Sequence, residues 1–360
     1  MSRASRAPSP RGGRRTRASR GKEGRGEGKL SLTQRLQNQA LLQSRFKEAR
    51  AVVSWLGGLQ GQDPESAKWS IGLRLPGSTK ADVEAAFTRG ELVRTWPMRG
   101  TLFVVAAEDA RWLLALTAPG NLKRAAYRRT QLELDDKTLS KSRKVLIKTL
   151  TGGHRTREEL ATALEQAKIS TEGQRAYHLL WDAAVNGLLC YAEMRGKQHT
   201  FALVDEWLPA TKEKPRDEAL AELAKRYFQS RSPATLKDFT WWSGLTAREA
   251  RQGYESMPPS GKGLAVHPER SRGTSIRSAL ALSGFDEYVL GYADRDAVLD
   301  PRFADRICPG GNGVFAPTLV LDGRVVGTWK RATGELEFFK PVKPAERRAL
   351  EQAVERYAAF

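Results

Sequence analysis

Two glutamines separated by one glycine, Gln60 and Gln62, follow an apolar helical run in the string Gly57-Gly-Leu-Gln-Gly-Gln-Asp63. A carboxamide is no base at neutral pH, but its oxygen can accept from a water or face a developing positive charge, and its NH2 can donate. Such a pair suffices where the leaving group is already activated, with Gln62 placing a water and Gln60 close to the reacting carbon. It is poor for an unactivated leaving group. Asp63 is a true base by type, although neighbours in sequence need not point the same way. The competing reading is a helix C-terminal loop whose amides satisfy backbone groups.

The segment from Leu92 to Val105 reads as a hairpin that shapes this site, with Arg99-Gly100 as its tight bend. Arg94, Trp96 and Arg99 place cationic and aromatic groups among strand formers, a mixture that suits nucleic acid. The plainer readings stay open: a Trp beside Pro97 as a core plug, and Arg99 paired with a carboxylate. Phosphate contacts are assigned as a class to Arg94, Arg99, Arg124, Arg128, Arg129 and Lys197, on expected wings or helix ends.

The elements that hold these residues follow from periodicity. Leu32, Leu36 and Ala40, then Phe46, Ala49, Val53 and Leu56, recur at helical spacing, and Lys80 to Thr88 gives a third helix before the hairpin. Helices ending in a two-stranded ribbon make a winged helix. Thr156-Arg-Glu-Glu159 is a capping box ahead of a helix, another helix spans about Gly173 to Asn186, and Leu188 to Val204 holds a second hairpin around Arg195-Gly-Lys197. After charged Lys212 to Arg216 comes a third helix-turn-helix candidate, in which Thr246 to Glu249 caps one helix and Trp241-Trp242 serve helix packing. Its wing is obscure beyond Pro258-Pro259, with Leu264-Ala-Val266 as one strand. Past Leu280 the period becomes that of strands: Thr318 to Leu321, Arg324 to Trp329 and Leu336 to Phe339 form a meander, and Ala345 to Ala358 closes as a helix. Asp286 and Glu287 suit structural hydrogen bonding better than a paired-carboxylate site.

The 360 residues exceed one ordinary core, so two or three domains are expected. Lys and Arg outnumber Asp and Glu by 60 to 41, a net +19, and residues 1–29 hold ten basic and two acidic groups, so the surplus survives without them. That surplus favours a polyanion, and with no apolar run able to cross a bilayer, nucleic acid ranks above membrane. Residues 1–29 have little to bury and read as a disordered basic arm, with a transit peptide or a misassigned start as alternatives. Cys190 and Cys308 form no C-x-x-C pair and the four histidines are scattered, so no metal site, disulfide or cofactor is expected. No secretory signal is legible, and the cytoplasm is the default.

Leu59-Gln-Gly-Gln62, Arg94-Thr-Trp-Pro-Met-Arg-Gly-Thr-Leu102, Asp238-Phe-Thr-Trp-Trp-Ser-Gly-Leu245 and Phe285-Asp-Glu-Tyr288 with Gly327-Thr-Trp329 together resemble the AlkZ/YcaQ-type winged-helix DNA glycosylases, from about residue 30 onward. The resemblance implies an α+β, C-shaped molecule of three tandem winged-helix domains (30–118, 119–211, 212–278) and a C-terminal small β-barrel with its helix (279–360). It implies a cytoplasmic, nucleoid-associated monomer that binds double-stranded DNA in a basic channel. It also implies hydrolysis of the N-glycosidic bond of alkylated purines, in some members including interstrand crosslinks, with Gln60 and Gln62 as catalytic motif. Gly61 stands where that motif usually has a side chain, Phe103 and Arg231 where histidine is common. A non-catalytic winged-helix DNA-binding regulator is the alternative, and RNA binding through the arm a third reading.

Overall fold

The computed structural model describes residues 32–257 and 277–360, which form a mixed α+β chain with three small antiparallel sheets. A helix over residues 32–38, α1, comes first. It is followed by α2 (Ala49–Leu56), β1 (Leu59–Gln60), α3 (Pro64–Gly72), α4 (Lys80–Thr88), β2 (Leu92–Thr95) and β3 (Phe103–Ala106). After α5 (Ala107–Gln131) the same order recurs as α6 (Asp136–Leu150), β4 (Arg155–Thr156), α7 (Arg157–Gln166), α8 (Arg175–Val185), β5 (Leu189–Arg195) and β6 (Gln198–Leu203). In both rounds the first strand pairs with the last, giving sheet orders β1-β3-β2 and β4-β6-β5. Two residues carry no alternation, so neither β1 nor β4 could be expected from the sequence. A single turn, α9 (Val204–Trp207), precedes α10 (Arg216–Arg231), α11 (Leu236–Ser243) and α12 (Ala247–Glu255). The basic arm and the expected strand Leu264-Ala-Val266 lie outside the described residues.

Local chemistry sets the boundaries. Reciprocal capping boxes start α4 (Thr79 with Asp82), α7 (Thr156 with Glu159), α11 (Thr235 with Asp238) and α12 (Thr246 with Glu249). Asp63 caps α3 by accepting from the amides of Glu65 and Ser66, with Pro64 in the first helical position. The longest helix, α5, runs through Pro119-Gly120 and so crosses the unit boundary expected at residue 118. A proline costs one helical hydrogen bond there. That loss is outweighed by burial of Ala110, Leu113 and Leu116 before it and by the Asn121 amide, which donates to the Pro97 carbonyl after it.

Beyond α12 come β7 (Ala279–Leu282), α13 (Glu287–Leu290), α14 (Ala304–Ile307), β8 (Thr318–Leu321), β9 (Arg324–Trp329), β10 (Leu336–Phe338) and α15 (Pro344–Ala358). The four strands run as a meander in the order β10-β9-β8-β7, so among the described residues the expected barrel is an open sheet with β7 and β10 at its edges. Its apolar face is covered instead of closed: Leu350, Ala353 and Val354 of α15 pack with Leu280, Leu282, Leu319 and Val325.

The β2–β3 hairpin is the hub of the packing. Val93, Phe103 and Val105 join a core shared with α5, α10 and α11, while Leu92 and Val104, on the alternate face, join a core with α2, α3 and α4. At the hairpin's far end Trp96 enters a third core built by α6, α7 and α8. Whatever the hairpin carries is therefore fixed by three units at once.

Candidate active site

Strand β1 presents the motif. Gln60 pairs in register with Phe103 and its N–H donates to Glu287 Oε1 at 3.0 Å; Gly61 N–H donates to the Leu102 carbonyl at 2.9 Å. The Gly61 carbonyl accepts from Arg94 Nε at 3.1 Å. A Cβ on Gly61 would come within 3.0 Å of the β3 backbone at Phe103 and Val104, so the missing side chain lets β1 lie close to β3. The Gln60 NH2 donates to Gln62 Oε1 at 2.8 Å. Gln60 is only 6% exposed and its Oε1 is buried without a hydrogen-bond partner, whereas Gln62 is exposed. A buried polar atom left unpaired in a native fold calls for an explanation.

Both glutamines line an open cleft of about 490 Å³ with Asp63, Arg99, Thr101, Trp241, Phe285, Arg295 and Phe315 among its walls. Asp63 faces it as a helix cap: Oδ1 accepts from the Glu65 amide at 3.0 Å, and Oδ2 accepts from Arg331 Nη1 at 2.7 Å. Burial pushes the Asp63 carboxyl up, but Arg331 and the Ser66 bonds pull further the other way, leaving it below the ordinary aspartate value. It is a weak base. Arg99 sits at the hairpin bend with φ 55° beside Gly100 at φ 68°, and Nη1 donates to the Trp242 carbonyl at 2.6 Å. Burial, with Arg295, Arg124 and Arg231 nearby, holds its guanidinium below the usual value against the pull of Glu287.

The remaining residues expected to touch DNA divide by environment. Arg94 is 7% exposed; besides Gly61 it lies 4.6 Å over the Tyr191 ring and 3.2 Å from His199 Nε2, which must accept because arginine cannot. It therefore braces the motif instead of presenting a free cation. Burial and the Arg94 charge both press the His199 imidazole toward its neutral form. Trp96 is buried and stacks on Tyr191 at 5.2 Å, the core plug of the plainer reading. Arg124 is exposed beside the cleft, with Nη1 donating to the Gly244 carbonyl at 3.0 Å. Arg128 of α5 bonds Gln131 on the same helix and Gln174 at the start of α8, and Arg129 is tied to the buried carboxylate of Asp182. Lys197 is exposed at the tip of the β5–β6 hairpin, beside a second cleft of about 710 Å³ that contains neither glutamine.

Sequence reading did not connect to the motif the residues that complete the cleft from afar. Glu287 accepts from Gln60 N–H, from Arg231 Nη2 at 2.6 Å and from Trp242 Nε1 at 2.9 Å, so this buried carboxylate links β1, α10, α11 and α13. Its role is structural, as expected for Asp286-Glu287, but it is exerted on the motif itself. Trp242 packs inside, yet its neighbour Trp241 is 38% exposed and faces the cleft. Arg295 has no motif around it, and only the fold brings it near residue 60.

Two amides, two arginines without a carboxylate partner and the exposed Trp241 ring around one cleft suit a nucleic acid better than a metal or thiol centre; the Cys190 thiol is buried and pushed up to about 12. Residues 53–360 match the DNA glycosylase AlkZ-like family, and the chain belongs to it. Membership implies an N-glycosylase acting on DNA. The chain is 29% identical over 352 residues to an interstrand DNA cross-link repair glycosylase of Streptomyces sahachiroi, covering 90% of this chain and 93% of that one. The solved structure of the Streptomyces sahachiroi DNA glycosylase AlkZ superposes with a TM-score of 0.78 at 25% identity, covering 92% of this chain and 96% of the other.

Proposed function

We propose that this protein hydrolyses the N-glycosidic bond of cationic N7- or N3-alkylated purines in duplex DNA, with Gln60 and Gln62 as the catalytic amides. The linked amide pair on the cleft wall, with the unpaired Gln60 oxygen, is the observation that carries this reading. Alkylation places a positive charge on the purine, so the bond from C1′ to N9 breaks with its electron pair going to N9, and the base leaves neutral without a proton. The positive charge passes to C1′. Gln60 Oε1, which lacks a partner, is the acceptor for that charge as its amide turns to the bound sugar, and Gln62 holds the water whose oxygen then bonds C1′ and whose proton goes to solvent. No strong base is needed, which fits an Asp63 spent on its helix and on Arg331.

The two rounds of helix, strand, helix, helix and hairpin, with α10 to α12 as a third, are read as winged helices that hold the duplex against the cleft. Arg99, Arg124, Arg128 and Lys197 supply phosphate contacts; Arg129 keeps its tie to Asp182, while Arg94 and Trp96 shape the motif. The crosslink substrate in the relative's name extends the proposal to crosslinked purines, since an open cleft needs no fully extruded base. The test is a duplex with one N7-methylguanine, incubated with enzyme and heated in alkali. Strand scission by the wild type that is lost in Gln62→Ala supports the reading. Wild-type inactivity on this duplex and on a nitrogen-mustard crosslink favours a DNA-binding protein without chemistry.

A further inference from the structure

Arg94 reaches the motif from behind, and an imidazole holds Arg94. Its Nε donates to the Gly61 carbonyl at 3.1 Å, the oxygen of the peptide that leads into Gln62, while its Nη1 lies 3.2 Å from His199 Nε2 on β6. Tyr191 of β5 backs both groups, 4.6 Å from the guanidinium carbon and 5.3 Å between ring centroids from His199. Stacking on Phe201 at 4.5 Å and on Trp96 at 5.2 Å fixes that phenol ring in turn. A guanidinium only donates, so its contact with His199 needs a ring nitrogen with a free lone pair. Protonated His199 has no such nitrogen, and it would set a second cation against the first.

The charges around His199 disfavour that proton. Arg94 faces it from β2 and Lys68 from α3, with Lys197 at the tip of its own hairpin. The acids of the same cleft are engaged elsewhere: Glu65 with Lys68 and Lys80, Glu84 with Lys68, and Glu193 with His154. Among the described residues no carboxylate forms an ion pair with His199, and burial with the Arg94 and Lys68 charges holds its imidazole below the ordinary value. Half-buried on the wall of the second cleft, the ring is still within reach of protons from solvent.

We infer that His199 is a positioning residue for the reaction: as a neutral acceptor it aims Arg94 at the Gly61 carbonyl, and so keeps Gln60 and Gln62 in place only while it carries no proton. This rests on the glycosylase reading above. Once His199 is protonated, Arg94 Nη1 loses its acceptor and is repelled, and Nε, part of the same rigid plane, leaves Gly61 with it. The Gly61 N–H keeps its bond to the Leu102 carbonyl, but the peptide entering Gln62 is no longer held at its oxygen. The glutamines themselves do not titrate, and Asp63 lies below the ordinary aspartate value, so the motif supplies no loss of rate near pH 6 by itself.

The test is the single-turnover rate at saturating enzyme on an N7-methylguanine duplex from pH 5 to pH 8, each variant divided by the wild type at the same pH so that titration of the substrate cancels. His199→Phe, which keeps a ring but offers no acceptor, is expected to be about tenfold to a hundredfold slower at pH 8, the worth of one hydrogen bond to a charged group. His199→Gln, whose amide oxygen accepts from Arg94 without titrating, is expected to recover most of that rate. Its ratio to the wild type should then rise as pH falls below the ordinary histidine value of about 6.5, because only the wild type loses its acceptor there. If the wild type cleaves and His199→Phe is equally fast at pH 8, or His199→Gln is no faster than His199→Phe, the inference is overturned alone. A His199→Gln ratio that stays flat down to pH 5 also overturns it, and this comparison stands even where His199→Phe fails to fold. Wild-type inactivity at every pH overturns the glycosylase reading and this inference together.

Discussion

The amide of Gln60 is held at both ends: its backbone N–H by Glu287, its side-chain NH2 by Gln62. Its buried side-chain oxygen has no partner, and the proposed reaction asks little of it, because an alkylated base would bring its own activation. Arg94 shows how residue type alone misleads. An arginine in a strand reads as a phosphate contact, but which face of a four-residue strand is buried is decided by what packs there, here Tyr191 and His199 of β5 and β6. Arg94→Ala should therefore slow cleavage through a loosened Gly61 carbonyl, and leave the salt slope of duplex binding at its wild-type value; a slope reduced by about 0.9 would make Arg94 a phosphate contact after all. Gln60 and Gln62 were legible as a pair because their spacing and resemblance coincide. Trp241 and Glu287 stood out in the sequence only for packing and hydrogen bonding, and their place beside the motif was not legible because each stands more than 170 positions from it; Arg295 carried no signal at all.

Between elements the decisive joints are two buried ion pairs on adjacent residues of the Phe285-Asp-Glu-Tyr288 block. Asp286 takes both Arg74 nitrogens, with Nη2 at 2.8 Å and Nη1 at 2.9 Å, fastening the C-terminal sheet unit to α3. Glu287 takes Arg231, a residue fully buried between Leu56 and Trp242. Removing one partner leaves a buried charge alone, so Arg231→Met should destabilise by about 3–5 kcal/mol in urea unfolding. Replacing Glu287 by Met in the same chain should recover part of that loss. Burial drives the Asp286 carboxyl up, yet Arg74 and the Tyr288 and Ser70 bonds draw it lower still, to a net position below the ordinary aspartate value. A carboxyl depressed on folding stabilises the native state at neutral pH, and that contribution fades as pH falls below the ordinary value of about 4 toward the depressed one. Urea midpoints measured from pH 6 to pH 3 should fall more steeply in the wild type than in Asp286→Asn. The capping boxes of α7 and α12 and the span of α4 could be read from the sequence because they depend on neighbours only. The course of α5 could not, since the contacts that carry it past Pro119 come from the hairpin.

Across the protein, three cores meet on the β2–β3 hairpin and the strand that carries Gln60 lies against it, so the cleft is a property of the assembled units. The formal charge of +19 gives the surface its attraction for DNA without choosing where the duplex lies. If Arg124 and Lys197 touch phosphate, each alanine variant should reduce the log-log salt slope of duplex binding by about 0.9 with little change in the rate at saturation. The measurement that reaches the main claim is the single-turnover rate on an N7-methylguanine duplex for Gln60→Ala, Gln62→Ala and the double variant, with duplex affinity monitored alongside. Amides acting as one unit should each cost about a hundredfold or more when removed, with the double variant little slower than either single one and all three still binding DNA. Losses that simply multiply, or a double variant as fast as the wild type, would contradict a shared role for the pair.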